Sequence, residues 1–250
     1  MKDQTNKSSS SAMSAKPNRD KLQMLLIAFI ERGEWKRLKR ALAIQLFINA
    51  ARSLHENSTL FGANILHIAL RNGPPIGIIR IILQELPEMP RMSDSIGRLP
   101  LHVACSVGIS SKIVATIAEA YPQACMKQDL DLRTPLHFAC DTSRMLYEEN
   151  MHYPDERHLN ISTVLCLISI APSSVHLEDC NEMNAIEIAL LSNAKGKVIS
   201  LLQHVSVFEH RKKNGKLEEG TAIQSWKELV EKVLYAKGST EDTEEAKSFS

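Results

Sequence analysis

A string of nine residues occurs twice in this chain, and it restricts the possible folds more than any other feature. Gly97–Cys105 reads GRLPLHVAC, and Leu132–Cys140 reads LRTPLHFAC. Pro suits the first turn of a helix, where its missing N–H would have no intrahelical partner, and Thr134 can cap the second copy from the preceding position. The string therefore predicts a turn followed by the start of a helix in each of two equivalent units.

The spacing of equivalent residues indicates further copies of this unit. His67, His102 and His137 follow one another at intervals of 35 residues. Glu187 takes the histidine position of a fourth unit, 50 residues after His137, so the third unit carries 15 additional residues. Two further markers keep the same register: Pro87, Pro122 and Pro172, each seven residues before Asp94, Asp129 and Asp179. Three markers in one register indicate an internal repeat.

A second apolar segment follows the first in each unit. Its spacing predicts helices over 78–86, 112–120, 161–170 and 197–204. Pro follows the first three of these segments within one or two residues and ends them, because Pro cannot continue a helix. Each unit is therefore predicted to contain a turn, a short helix and a longer helix.

These motifs resemble the ankyrin repeat, whose T-P-L-H-x-A signature is complete at Thr134–Ala139. The copy at 99–104 has Leu in place of Thr, the copy at 64–69 lacks Pro, and the fourth lacks both Pro and His. The resemblance implies an all-α ankyrin solenoid of stacked helix-turn-helix units with short hairpin loops and helical caps at both ends. It also implies that the recurring residues of the motif have structural roles, namely His67, His102, His137, Pro100 and Pro135. The histidines are expected to bond backbone groups near the turn.

The remaining sequence predicts the organisation around the repeats. Ser-rich and acidic ends have too little apolar surface to order themselves, whereas helical apolar spacing begins near Asp20. The predicted order is a disordered tail at 1–19, a helical capping pair at 20–58, and four repeats at 59–205 with an insertion near 141–158. A basic linker at 206–220, an amphipathic helix at 221–237 and a disordered acidic tail at 238–250 follow.

Composition excludes several classes of partner. Thirty basic and 29 acidic residues give a net charge of +1, so we expect neither nucleic acid nor a membrane as partner. The apolar run Met24–Ile30 is far shorter than the roughly 20 residues of a membrane span. Five cysteines without a CxxC pair indicate reduced thiols and a cytoplasmic or nuclear location. We also expect the protein to be a monomer. The Ser-rich start leaves a targeting segment open.

The sequence gives little sign of catalysis or metal binding. No nucleophile paired with a base is evident, and the cysteines and histidines around the insertion match no usual zinc spacing: Cys140, His152, His158 and Cys166. We therefore expect no metal and no cofactor. An enzyme with its site in the 141–158 insertion remains an alternative.

The ankyrin resemblance implies a non-catalytic interaction module that binds another protein on a concave face of hairpin tips and first helices. The exposed hairpin positions expected to contact the partner are Ser95, Arg98, Leu130, Asp131, Arg133, Glu182 and Asn184, and the insertion adds Tyr147 and Tyr153. Arg98 and Arg133 occupy equivalent positions, where they either form a binding row or serve only to keep the hairpins solvated. A two-partner adaptor, in which the helix around Trp226 recruits a second protein, is the main alternative.

Overall fold

The structure, a computed structural model, describes residues 12–142 and 159–215, with side chains from residue 19 onward. These residues form eleven α-helices joined by turns and short 3-10 segments and contain no β-strand, so the all-α prediction is confirmed for them. The helices are α1 (Ala12–Glu31), α2 (Trp35–Ala41), α3 (Gln45–Arg52), α4 (Ile65–Arg71), α5 (Ile76–Glu85), α6 (Pro100–Ser106), α7 (Ser111–Ala120), α8 (Pro135–Cys140), α9 (Ile161–Ile170), α10 (Ala185–Leu191) and α11 (Gly196–Lys213).

The chain divides into two compact units, with the boundary between Ser95 and Ile96. The first unit begins with α1, which packs against both α2 and α3. Leu22, Leu26 and Ile30 lie on the buried side of α1, as their helical spacing predicts. In α2, Leu38 is buried while the cations around it are exposed: Lys36, Arg37, Lys39 and Arg40.

Two features of this N-terminal region differ from the sequence prediction. Helix α1 begins at Ala12, inside the stretch 1–19 that the sequence predicts as a disordered tail. The predicted pair of helices at 20–58 also omits α3, which buries Ile48 and Ala51. Gln23 of α1 joins these helices, because its buried amide donates hydrogen bonds to the Ala50 carbonyl and to Ser53 Oγ.

The first unit ends with the helix pair α4 and α5. The Asn64 side chain caps α4 by accepting from the N–H groups of Leu66 and His67, and its amide donates to the Met89 carbonyl at 2.9 Å. This one side chain therefore joins the start of α4 to the segment after α5. The α4 residues from Ile65 to Leu70 are all buried.

The second unit consists of stacked helix pairs. Helices α6, α8 and α10 pack in sequence to form one layer, and α7 packs on α9 in a second layer. The layers join because α6 contacts α7, α8 contacts α9 and α10 contacts α11. Side chains from these helices are almost completely buried and form the core of the second unit: Leu101, Val114, Ile117, Leu136, Phe138, Leu167 and Leu201. No single helix pair has enough apolar surface for a core, so the pairs depend on their neighbours.

Helix α11 differs from its prediction. It continues through 206–213, where the sequence predicts a basic linker, and it buries Val205 and Glu209 on the way. Its last turn holds His210, Arg211, Lys212 and Lys213, and cations there are favoured by the partial negative charge at a helix C-terminus.

Several predicted features lie outside the described residues. They are residues 1–11 of the predicted tail, residues 143–158 of the predicted insertion with Tyr147 and Tyr153, residues 216–220 of the predicted linker, the helix at 221–237 with Trp226, and the tail at 238–250. None of the described helices is both long and apolar enough to cross a membrane.

Candidate functional site

The turns between successive helix pairs of the second unit are held by buried aspartates. Asp129 Oδ1 accepts hydrogen bonds from the N–H groups of Asp131 at 3.0 Å and Arg133 at 2.9 Å. Asp179 Oδ1 repeats the arrangement with Asn181 at 2.8 Å and Met183 at 3.1 Å. Burial raises the pKa of Asp129, although these backbone bonds oppose the shift. The two equivalent turns therefore have one rigid backbone geometry.

One position in each turn requires a left-handed backbone. It lies five residues before the repeat histidine or Glu187, and its φ is +77° at Gly62, +81° at Gly97, +58° at Leu132 and +60° at Glu182. Gly suits this conformation, whereas another residue loses about 1–2 kcal/mol by adopting it. At Gly97 a Cβ atom would also lie 3.1 Å from the Leu130 nitrogen. Leu132 and Glu182 therefore hold their side chains at an energetic cost.

Backbone hydrogen bonds join the turns of the second unit into a continuous row. The Leu130 N–H donates to the Ile96 carbonyl at 3.0 Å, and the Cys180 N–H donates to the Asp131 carbonyl at 2.9 Å. The side-chain amide of Gln128 donates to the Leu132 carbonyl in its own turn and to the Glu178 carbonyl in the next turn. Residues 96–98, 127–133 and 177–184 are called the hairpin row below.

The repeat histidines fasten these turns to the helices. Nδ1 of His102 accepts from the Leu99 N–H at 3.0 Å, and its Nε2 lies 3.0 Å from the Lys127 carbonyl. Because Nδ1 accepts from a backbone N–H, the ring proton belongs on Nε2, which donates to that carbonyl. His137 has two bonds of the same kind, accepting from the Thr134 N–H at 3.0 Å and donating to a carbonyl of the next turn, although that carbonyl belongs to Met183 (3.2 Å) and not to the residue equivalent to Lys127. Burial lowers the pKa of His137, so the neutral ring that both bonds require is favoured.

The same helix-start bond recurs elsewhere with other partners. In the first unit, His67 Nδ1 accepts from the Asn64 N–H at 3.2 Å. In the fourth repeat, Glu187 Oε2 accepts from the Asn184 N–H at 2.8 Å. The carboxylate of Glu187 therefore takes the place of the imidazole as acceptor. The fourth copy lacks the histidine of the motif but keeps the hydrogen bond at the helix start.

The two arginines predicted at exposed hairpin positions are covered. Arg98 is only 8% exposed. The Arg133 side chain is 13% exposed, and its guanidinium lies 2.7 Å from Asp141 Oδ2 and 4.5 Å from the centre of the Phe138 ring. The expectation of exposure is wrong, because Arg133 packs on an aromatic ring and a carboxylate of its own repeat. Neither arginine presents its charge to a partner in this structure.

The other expected contact residues differ in exposure. Ser95 is exposed and belongs to the first unit, Leu130 is 70% exposed, Asp131 is half-buried and Glu182 is exposed. Asn184 is half-buried and caps α10, since its Oδ1 accepts from the N–H groups of Ile186 and Glu187. Asn184 therefore has a structural role that its hairpin position did not reveal.

The first helices contribute less surface than expected. All residues of 100–105 in α6 and of 135–140 in α8 are buried, so these two helices do not share an exposed face with the turns. Sequence reasoning also missed two exposed apolar residues, Ile96 at 38% and Leu132 at 48%. Leu132 stands where two other repeats have Gly, and that substitution was a signal available in the sequence.

Most of the cysteine thiols are poorly placed to react, because only one of the five is exposed to solvent. Cys105, Cys125 and Cys140 are buried, Cys166 is half-buried and Cys180 is exposed. Burial raises the pKa of Cys125 and Cys140 to about 12 and that of Cys166 to about 11, which disfavours the reactive thiolate. Within residues 12–142 and 159–215, no group of three or more His, Cys, Asp or Glu side chains is placed to hold a metal ion.

The hairpin row combines apolar side chains with acidic groups. Leu130 and Leu132 are exposed, while Glu178 and Glu182 are exposed acids on the next turn. This arrangement suits the binding of a surface that is itself partly apolar. No protein-family model matches the chain, and no curated protein matches it significantly in sequence.

Proposed function

We propose that this chain is an ankyrin-repeat protein that binds another protein and has no catalytic activity of its own. The T-P-L-H-x-A signature and the 35-residue spacing support this proposal. Stacked helix pairs, Asp-held turns and histidines that tie each turn to a helix start give it physical support. We place the binding surface on the hairpin row, since α6 and α8 are buried.

The observation that carries the proposal is the exposure of Leu130 on a rigid frame. Its side chain is 70% exposed, while its N–H is bonded to Ile96 in the neighbouring turn and the adjacent Asp129 is buried. A large apolar side chain on an ordered backbone can bind without the loss of conformational freedom that a flexible loop incurs. Apolar anchors of this kind supply much of the free energy of protein association.

The test begins with partners found by proximity labelling in the native cell and continues with purified proteins. A partner that binds the full chain directly should lose at least about tenfold in affinity to a Leu130→Ser variant. Leu191→Ser is the matched control, because Leu191 is 73% exposed on α10 outside the hairpin row. Both variants should keep the wild-type melting temperature, since neither side chain is in the core.

The proposal fails if every direct partner binds Leu130→Ser as tightly as wild type. It also fails if the purified chain turns over a substrate with a rate that depends on the hairpin row. Equal losses for Leu130→Ser and Leu191→Ser would assign binding to general surface hydrophobicity and would likewise contradict it.

A further inference from the structure

We propose that the partner segment held by the hairpin row is cationic as well as apolar, with a large aliphatic or aromatic side chain flanked by Lys or Arg. This inference rests on the proposed function, because it names the chemistry of the segment that the same surface binds.

The apolar part of the row comes from two adjacent turns. Leu130 and Leu132 are 70% and 48% exposed on one turn, and Ile96 is 38% exposed on the neighbouring turn. The 3.0 Å hydrogen bond from the Leu130 N–H to the Ile96 carbonyl holds the two turns side by side. An apolar side chain of a partner can therefore contact both turns at once.

The left-handed position indicates which side chains serve a purpose outside the fold. Gly62 and Gly97 occupy it in two repeats, but Leu132 and Glu182 occupy it in the next two, with φ of +58° and +60°. Neither side chain is buried, so core packing does not explain why Gly is absent. The turn needs the left-handed backbone but not a side chain at this position, so a side chain that is kept there at a conformational cost points to a function outside the fold. The two side chains held there are one apolar group and one carboxylate, the two chemistries assigned to this surface.

The charge of the row selects a cationic partner. Glu178 and Glu182 are exposed and Asp131 is half-buried, whereas Lys127 is the one exposed cation among the row residues, all of which the structure describes. Arg133 lies beside Asp141, so its charge is compensated within the repeat. Acidic groups around an apolar centre favour a partner with Lys or Arg next to its apolar side chain and repel acidic segments.

The experiment selects peptides from an unbiased phage-displayed library on the full chain, with counter-selection on the Leu130→Ser variant. We expect the enriched peptides to combine an apolar side chain with net positive charge. Their affinity should fall at least about tenfold for Leu130→Ser, and severalfold for a Glu178→Gln, Glu182→Gln double variant. It should also fall between about 50 mM and about 500 mM salt, since exposed charges are screened.

The outcomes separate this inference from the proposed function. Neutral or acidic peptides that still require Leu130 would overturn the cationic partner and leave protein binding by the row intact. Peptides whose affinity does not change in Leu130→Ser, or a selection that enriches nothing over that variant, would overturn both. The Leu191→Ser protein serves as the control in every measurement, because it keeps the entire hairpin row.

Discussion

Replacement of His137 by Leu tests whether the repeat histidines hold the turns in place. His137 is fully buried, accepts from the Thr134 N–H at 3.0 Å and donates to the Met183 carbonyl at 3.2 Å. Leu fills a similar volume but leaves the buried Thr134 N–H without its acceptor, at about 1–3 kcal/mol. The Met183 carbonyl loses the imidazole donor but keeps its hydrogen bond from the Asp179 N–H at 2.9 Å. The more favourable burial of Leu offsets part of the loss, so we expect the free energy of unfolding to fall by about 2 kcal/mol. Equilibrium urea unfolding of the full chain measures the change.

Two further variants show whether the lost hydrogen bonds cause the effect. His137→Gln retains an acceptor and a donor and should recover part of the stability. Glu187→Leu removes the equivalent acceptor at an exposed position, where water can replace it, so the loss should be about 1 kcal/mol or less. A loss below about 1 kcal/mol for His137→Leu, or equal losses at the two positions, would refute the reasoning.

Three other predictions concern the titration of His137, the close backbone approach at Gly97 and the accessibility of Cys180. The pKa of His137 is lowered from 6.5, so the unfolded chain takes up a proton first as the pH falls; the free energy of unfolding should therefore decrease below about pH 6.5, with a smaller slope in His137→Gln. Gly97→Ala should lower the melting temperature more than Gly73→Ala, because both residues have positive φ but only at Gly97 would the new Cβ meet a backbone atom, Leu130 N at 3.1 Å; equal shifts would contradict the close approach. Alkylation of the native protein should modify Cys180 rapidly and the buried thiols only after unfolding, as peptide mass spectrometry would detect.

The positions of the repeat elements could be predicted because each has a local physical cause. Pro at a helix start, Asp in a turn and His three residues after the cap act through bonds to their own or adjacent backbone, and these spacings are visible in the chain. The predicted helix at 161–170 matches α9, and that at 112–120 differs from α7 by one residue. Helix ends at Pro were similarly accessible, since Pro stops a helix whatever its surroundings.

Features that depend on tertiary contacts could not be predicted in this way. Arg133 reads as a polar turn residue, but Phe138 and Asp141 of its own repeat cover it. The continuation of α11 through a basic run depends on the burial of Val205 and Glu209. The sequence does not show which residues these two side chains pack against. Leu132 lies between these two cases. Its left-handed backbone could have been predicted from Gly at the equivalent positions, but its exposure could not.

Hydrogen–deuterium exchange of the full chain, with and without a bound partner segment, tests the central claim most directly. A segment selected on the wild-type chain should slow exchange at 127–133 and 177–184, the turns of the hairpin row around Leu130 and Glu182. Protection of these turns should disappear in Leu130→Ser. Protection confined to other residues, with the turns unchanged, would contradict the assignment of protein binding to the hairpin row.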